Sequence, residues 1–427
     1  MARIIASSIP LPGHFTPVRL AAADLARRGH DVTVLTDPAF ESAVTAAGMT
    51  YAPLKGLPEV GSGDYLAERN QFAPGPEQLN WELRTAFVEP MAAEYAAVQE
   101  QLELIGDEPS VLLSDNYFLG GWPVALGAPG RRPSATIALG INMLTTLSAY
   151  APPFGARLFL TGTPADQEPI AQANAGFRAV FQPLQEALER TLRDLGATAP
   201  VPFFFDALAS VPDRLLQLCP SGFEYPRPDL PEPVRYVGVL QGEPAVDETL
   251  PAWWAEVEQA ERVVVVTQGT LANRDTAELI RPTMAALADL DALVVVTTGN
   301  PDTRLENVPD NVRLSPFVPY DRLLPQADVL VTNGGYGGVL LALAHGVPMV
   351  VAGATEDKPE IAARVEWVGA GIDLRTGGPT PAEIGTAVRS VLATPSFSEA
   401  ARRLQTEIAA HRPFDEIAGQ VEELAGR

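Results

Sequence analysis

His14 stands in a short loop between an apolar run, Arg3-Ile4-Ile5-Ala6-Ser7-Ser8, and a stretch with helical spacing that opens at Thr16-Pro17. A helix N-terminus disfavours the imidazolium, so a ring held there stays neutral and able to take a proton. The chemistry open to it is that of a general base, deprotonating a hydroxyl for attack on an electrophilic carbon. A base that becomes charged gains from a carboxylate, and Asp115 ends the apolar run Leu112-Leu113-Ser114-Asp115. Position alone leaves two plainer readings open: a histidine that packs or caps in its loop, and an aspartate that caps the helix after its strand. The second candidate is the stretch 328 to 346, DVLVTNGGYGGVLLALAHG, where a buried strand ends in Asn333-Gly334-Gly335-Tyr336-Gly337-Gly338 and a helix follows. Glycines there permit unusual dihedrals and let a ligand touch the backbone, and the free amides of a helix start suit a phosphate. On the turn alone, phosphate binding and simple packing are equally good accounts.

Downstream come Gly346-Val347-Pro348-Met349-Val350-Val351, a further strand, and then Glu356-Asp357-Lys358 at its carboxyl end, where ligands of open parallel sheets sit. The whole segment 317 to 358 resembles the nucleotide-sugar signature of the family one glycosyltransferases, which include plant natural-product glucosyltransferases and bacterial macrolide glycosyltransferases. The family pattern runs His-x-Gly-x-x-Ser or Gly, a ribose-binding Glu, Gly-Val-Pro, then Asp or Glu followed by Gln. It falls without a gap on Asn333, Gly335, Gly338, Leu341, Gly346 to Pro348, Asp357 and Lys358. Three positions depart from it: Asn333 for His, Leu341 for Glu and Lys358 for Gln.

The resemblance implies a GT-B fold, two Rossmann-like doubly wound α/β domains facing across a cleft, with C-terminal helices crossing back to the first domain. It implies an inverting transferase that moves a hexose, with glucose the expected cargo, from a nucleotide diphosphate to a hydroxyl of an apolar natural product. Pro12-Gly13-His14 matches the family's base, and Asp115 its carboxylate partner. Phe317-Val318-Pro319 is similar to the family's Trp-x-Pro, so Phe317 would stack on the base and the Val318 backbone pair with its edge. Gln268, Gly269 and Thr270, at the end of another strand, could reach the diphosphate with their amides and hydroxyl or could cap a helix, and Gly334, Gly335, Tyr336, Gly337 and Gly338 would hold the diphosphate. Asp357 would bond donor-sugar hydroxyls, the plainer reading being a surface carboxylate that begins a helix. Asn333 can still donate to a phosphate oxygen, and Lys358 either adds a cation near the donor or pairs with Glu356 or Asp357. Leu341 removes the reader of the ribose hydroxyls, as in bacterial members that use thymidine-linked sugars, so both UDP- and dTDP-sugars are expected. Phe154, Phe159 and Phe203 are candidates for an apolar acceptor wall, although Phe203, Phe204 and Phe205 equally suit a core. An epimerase of the same architecture, which would need carboxylates facing the sugar, and a non-catalytic nucleotide-sugar-binding protein, which would lack the base, are the alternatives.

Composition sets the frame for these elements. A chain of 427 residues suits two domains, and its net charge of −23 argues against nucleic-acid or anionic-membrane partners. Cys219 is the single cysteine, which excludes an intrachain disulfide and fits a cytoplasmic protein. No targeting signal or membrane-spanning run is evident. Asp289-Leu290-Asp291 imitates a metal-binding Asp-x-Asp but follows a helix without nucleotide context, so it reads as a solvated turn; no metal and no cofactor beyond the donor is expected. The protein is expected to be a monomer or homodimer.

The first strand is followed by a helix over 17 to 28 with Thr16 as its cap and Gly29 at its end, then a strand over 31 to 36. This β-α-β opening predicts parallel pairing with right-handed crossovers. Residues 79 to 105 read as helix broken near Pro90, and residues 55 to 78 and 139 to 170 as loops. Six prolines in 226 to 251 mark an interdomain linker. The acceptor-binding domain is therefore 1 to 225, the nucleotide-sugar domain 252 to 395, and the returning helices 396 to 427.

Overall fold

Short apolar runs, buried on both faces, build the central strands of this protein, as parallel sheets covered by helices require. The computed structural model describes residues 1–60, 62–73, 75–156, 158, 160, 162–242, 250–269 and 275–426. The chain divides into two units, Met1–Leu218 with Pro226–Leu240 and Arg412–Arg427, and Cys219–Tyr225 with Gln241–His411.

The first unit carries β1 (Arg3–Ser7), β2 (Asp31–Thr36), β3 (Thr50–Pro53), β4 (Ser110–Asp115), β5 (Ala135–Gly140), β6 (Arg214–Gln217) and β7 (Val234–Tyr236) in the order β3-β2-β1-β4-β5-β6-β7. All pairs are parallel, and Ser7 lies between Leu35 of β2 and Ser114 of β4. The order reverses between β1 and β4, so the connections leave those two strand ends in opposite directions and open a crevice there.

The helix after β1 spans Pro12–Arg27 and lays Phe15, Val18, Ala22 and Leu25 on the sheet. It begins earlier than the sequence suggests, with Leu11 rather than Thr16 at its N-cap. Pro12 explains the early start: its ring presets a helical φ, and the N–H it lacks would have gone unpaired in a first turn. Pro17 is then an internal residue whose missing amide forfeits one helical bond. The closing helix Pro413–Ala425 adds Ile417, Ala418, Val421 and Leu424 to the same core.

The second unit has β8 (Val263–Thr267), β9 (Leu293–Thr297), β10 (Val312–Ser315), β11 (Val329–Thr332), β12 (Met349–Val351) and β13 (Gly371–Asp373), ordered β10-β9-β8-β11-β12-β13 and parallel throughout. Its switch point falls between β8 and β11. Val264, Val266, Val294, Val296, Val329 and Val331 fill the core on one side, closed by Ile384 and Val388 of the helix Pro381–Ala393.

The helix Pro395–Ala410, expected to return with the tail, groups with the second unit, and the chain changes unit only at residue 412, just before Pro413. Residues 226–240 of the expected linker, including β7, belong to the first unit, while 243–249 lie outside the described residues. Among the described residues no helix is long and apolar enough to cross a membrane.

Candidate active site

In the first unit, two residues distant in sequence meet because β1 and β4 are neighbours. The chain leaving β1 turns into the helix that holds His14 in its first turn, and Asp115 is the last residue of β4. His14 Nδ1 lies 3.5 Å from Asp115 Oδ1 and makes no hydrogen bond among the described residues. The imidazole is 18% exposed while the carboxylate is fully buried. Asp115 is fixed by backbone amides: Oδ2 accepts from Ile9 at 2.8 Å, and Oδ1 from Tyr117 at 2.6 Å and Phe118 at 3.1 Å. Asp115 thus caps the turn that follows β4, not the next helix, Trp122–Ala125, whose N-cap is Gly121, and it stands beside the histidine. With Nδ1 towards the carboxylate, Nε2 is the nitrogen left to take a proton.

Tyr117 extends this arrangement. Its ring meets His14 edge-on at 5.9 Å and stacks on Phe87 at 4.5 Å, and its hydroxyl accepts from Asn142 Nδ2 at 2.9 Å. Phe87 sits half-buried in a wide turn, Arg84–Val88, closed by the Glu89 amide on the Arg84 carbonyl. Neither Tyr117 nor Asn142 carries a sequence signal, because each is placed by a different strand end. The acceptor-wall candidates fare differently. Phe203 is packed in a core of Phe177, Phe181 and Phe205 with the Arg178 guanidinium 4.7 Å over its ring, so the expected acceptor contact is corrected to a core residue. Phe154 is half-buried against that core, and Phe159 lies outside the described residues.

In the second unit, two turns at the β8/β11 switch point share one design. Thr267 and Thr332 are paired in register, and each hydroxyl accepts the amide two residues on, from Gly269 and Gly334, both at 3.2 Å. Asn333 Nδ2 then donates to the Gln268 carbonyl at 2.6 Å and ties the two turns together. This is where Asn333 spends one N–H; it was expected to serve a phosphate. The Gln268 side chain likewise turns inward, donating to the Asp275 carbonyl at 2.9 Å and to Glu278 at 3.1 Å, which leaves its backbone facing the turn. Thr270 lies outside the described residues.

Gly334 has φ 89°, and a Cβ there would come within 2.8 Å of Val351, so the fold itself requires this glycine. Gly335, Gly337 and Gly338 are different: among the described residues, a Cβ on any of them would meet no atom within 4 Å beyond its chain neighbours and its own helix backbone. The helix Tyr336–Ala344 that they open has no side-chain cap, as an anion-accepting helix start requires. Phe317 is 61% exposed, an unusual state for a phenyl ring, while Val318 is buried and the Phe317 carbonyl is held by Ser315 Oγ at 2.7 Å. Tyr320 OH bonds Thr297 Oγ1 at 2.8 Å and pins the start of the next helix to the end of β9. Leu341 is half-buried on the helix. Glu356 takes a left-handed φ of 57°, a strained conformation for its type, and its carboxylate pairs with Lys358, whose side chain is 7% exposed. The expected pairing of Lys358 is thus present, with a buried rather than a surface lysine. Asp357 precedes the helix Lys358–Trp367 as its N-cap residue. Asp289 pairs with Arg389 at the surface.

The family model described as Erythromycin biosynthesis protein CIII-like, C-terminal domain, matches residues 281–424. UDP-glucosyltransferase B1 of Starmerella bombicola is 36% identical over 441 residues, covering 99% of this chain and 98% of the relative. The chain belongs to the family one glycosyltransferases. A second relative of this glycosyltransferase, 4'-demethylrebeccamycin synthase of Lentzea aerocolonigenes, is 37% identical and covers 100% of the chain and 99% of its own length. Its fold is GT-B: the glycotransferase of kitacinnamycin superposes with a TM-score of 0.74 at 24% identity, over 99% of this chain and 98% of the other.

Proposed function

We propose that this glycosyltransferase moves a hexose of the glucose type from UDP or dTDP to a hydroxyl of an apolar natural product, phenolic or macrocyclic, with inversion at the anomeric carbon. The reading is carried by His14 beside Asp115, 3.5 Å apart, in a chain similar over its full length to proteins named as a UDP-glucosyltransferase and as 4'-demethylrebeccamycin synthase. His14 Nε2 takes the proton of the acceptor hydroxyl as its oxygen bonds the anomeric carbon. The bond from that carbon to the diphosphate breaks, and the nucleoside diphosphate leaves with the electron pair. Asp115 offsets the positive charge that His14 then carries. Tyr117, which adjoins His14, and Phe87, which stacks on Tyr117, are the apolar surface we assign to the acceptor.

On the donor side, the open space over Gly335, Gly337 and Gly338 supports backbone contact with the diphosphate, and exposed Phe317 supports stacking on the base. Asp357 receives sugar hydroxyls. Amides and the helix start supply the charge compensation, so transfer proceeds without a divalent ion. The single cysteine supports a cytoplasmic setting for a monomer or homodimer.

Incubation with labelled UDP-glucose or dTDP-glucose tests the proposal. Nucleoside diphosphate should appear only when a phenolic or macrocyclic acceptor is added, in the presence of chelator. Release that ignores the acceptor, or that requires magnesium or manganese, contradicts it.

A further inference from the structure

Beneath the His14–Asp115 pair lies a second carboxyl that the transfer reaction does not use. The helix Met91–Ile105 buries a stripe of Met91, Glu94, Val98 and Leu102, in which Glu94 is the one polar member and is fully buried. Its Oε2 accepts the Leu119 amide at 2.9 Å, and the Gly120 amide also acts on the carboxyl, while Oε1 is buried and has no hydrogen bond of ordinary geometry among the described residues. Asp115 and Glu94 thus divide one backbone turn between them, Asp115 holding the amides of Tyr117 and Phe118 and Glu94 that of Leu119. The fit is close. A Cβ at Gly120 would fall 2.8 Å from Glu94 Cβ and 2.9 Å from its backbone carbonyl carbon, so the turn rests directly on the helix.

We propose that Glu94 is a positioning residue of the transferase, holding the 116 to 120 turn against its helix so that Asp115 and Tyr117 stay aimed at His14. The inference rests on the reading of His14 and Asp115 as base and partner. It assigns Glu94 the uncharged form, for three reasons. An ionised carboxylate taken fully out of water with no cation beside it in the ion pairs of the described residues is strongly disfavoured. Burial drives its pKa well above the usual carboxylate range, against the pull of the Leu119 and Gly120 amides. Asp115, the charged group that faces it, adds to the rise. A neutral Glu94 also leaves the stabilisation of the imidazolium to Asp115 alone.

The sign of the pH dependence follows. A carboxyl whose folded pKa is raised contributes its stabilisation fully below the unfolded pKa and loses it as pH climbs towards the folded value. Glutamine has the same shape, can accept the Leu119 amide and does not ionise.

The test compares full-length Glu94→Gln, Glu94→Leu and His14→Ala with the native chain. Glu94→Gln should keep kcat within about two-fold, and its melting temperature relative to native should rise from about pH 5 to about pH 8. Glu94→Leu should lose about 10-fold or more in kcat at unchanged donor KM, a split that general destabilisation does not produce. If Glu94→Leu does not fold, the glutamine variant decides alone. A folded Glu94→Gln with kcat reduced about 10-fold or more, a melting difference that shrinks as pH rises, or a Glu94→Leu that turns over like native overturns the proposal. His14→Ala separates the two ideas: native turnover there refutes the base, whereas an inactive His14→Ala beside a fully active Glu94→Leu refutes only the role of Glu94.

Discussion

His14 Nδ1 lies 3.5 Å from Asp115 Oδ1, the histidine on the first turn of a helix and the carboxylate fully buried under three amide donors. Those amides hold the carboxylate still, so the imidazole meets a preset charge and needs no reorganisation when it takes a proton. Asp115→Asn replaces one accepting oxygen by an NH2 that must face either an amide donor or the histidine. We expect a loss of about 10- to 100-fold in kcat, smaller than that of His14→Ala, with donor affinity unchanged. Steady-state kinetics and calorimetry on the two variants check the order; a larger defect for Asp115→Asn would reverse the assigned roles.

Phe317 presents an exposed ring whose carbonyl is fixed by Ser315. Base stacking on an aromatic side chain is worth about 1–3 kcal/mol, so Phe317→Ala should weaken nucleoside diphosphate binding by about 10-fold or more while leaving the fold intact. Titration calorimetry with UDP and dTDP reads this directly, and unchanged affinity would remove Phe317 from the donor site.

Much of this was legible in the sequence where chemistry is local. The Asn333 to Gly338 turn shows itself by glycine density after an apolar run, and β2 and β4 fall on the expected residues because their runs are bounded by polar residues. What pairs distant segments was not legible. The six-residue strand Ala135–Gly140 is entirely buried, yet its end merges in sequence with the loop-like stretch from 139. Thr50–Pro53 is short, partly exposed and ends in proline. Phe203, Phe204 and Phe205 look the same in a wall as in a core, and only the neighbouring helices make them core. Asn333 and Gln268 have the expected positions, but the direction of their side chains depends on the adjacent turn and on Glu278. Glu94 had a signal that went unread: a glutamate on the apolar stripe of its helix.

Leu341, half-buried on the helix after the glycine turn, occupies the place of a ribose-reading carboxylate. A hydrogen bond there contributes about 0.5–1.5 kcal/mol, so Leu341→Glu should shift selectivity towards UDP-glucose over dTDP-glucose by up to ~10-fold. Competition kinetics between the two donors measures the shift. A strong uridine preference in the native enzyme, untouched by the substitution, would mean that the ribose is read elsewhere.

Stability of the second unit depends on a buried cation. Arg364 is 2% exposed, bonds Glu224 at 2.9 Å and Glu360 at 3.4 Å, and lies 4.7 Å over the Tyr225 ring. Burial alone would lower its pKa, but the two carboxylates raise it above the ordinary value. Arg364→Ala takes the cation away from two buried acids, and we expect a loss of about 3–5 kcal/mol in denaturant unfolding of this unit. A loss under about 1 kcal/mol would show that the pair behaves like an exposed one.

The base assignment is tested most directly by acceptor-dependent release of nucleoside diphosphate from native enzyme and His14→Ala at equal donor saturation. The account predicts a fall of about 100-fold or more in the variant, with donor binding by calorimetry within a few-fold of native. Near-native release by a variant that binds donor normally would contradict it.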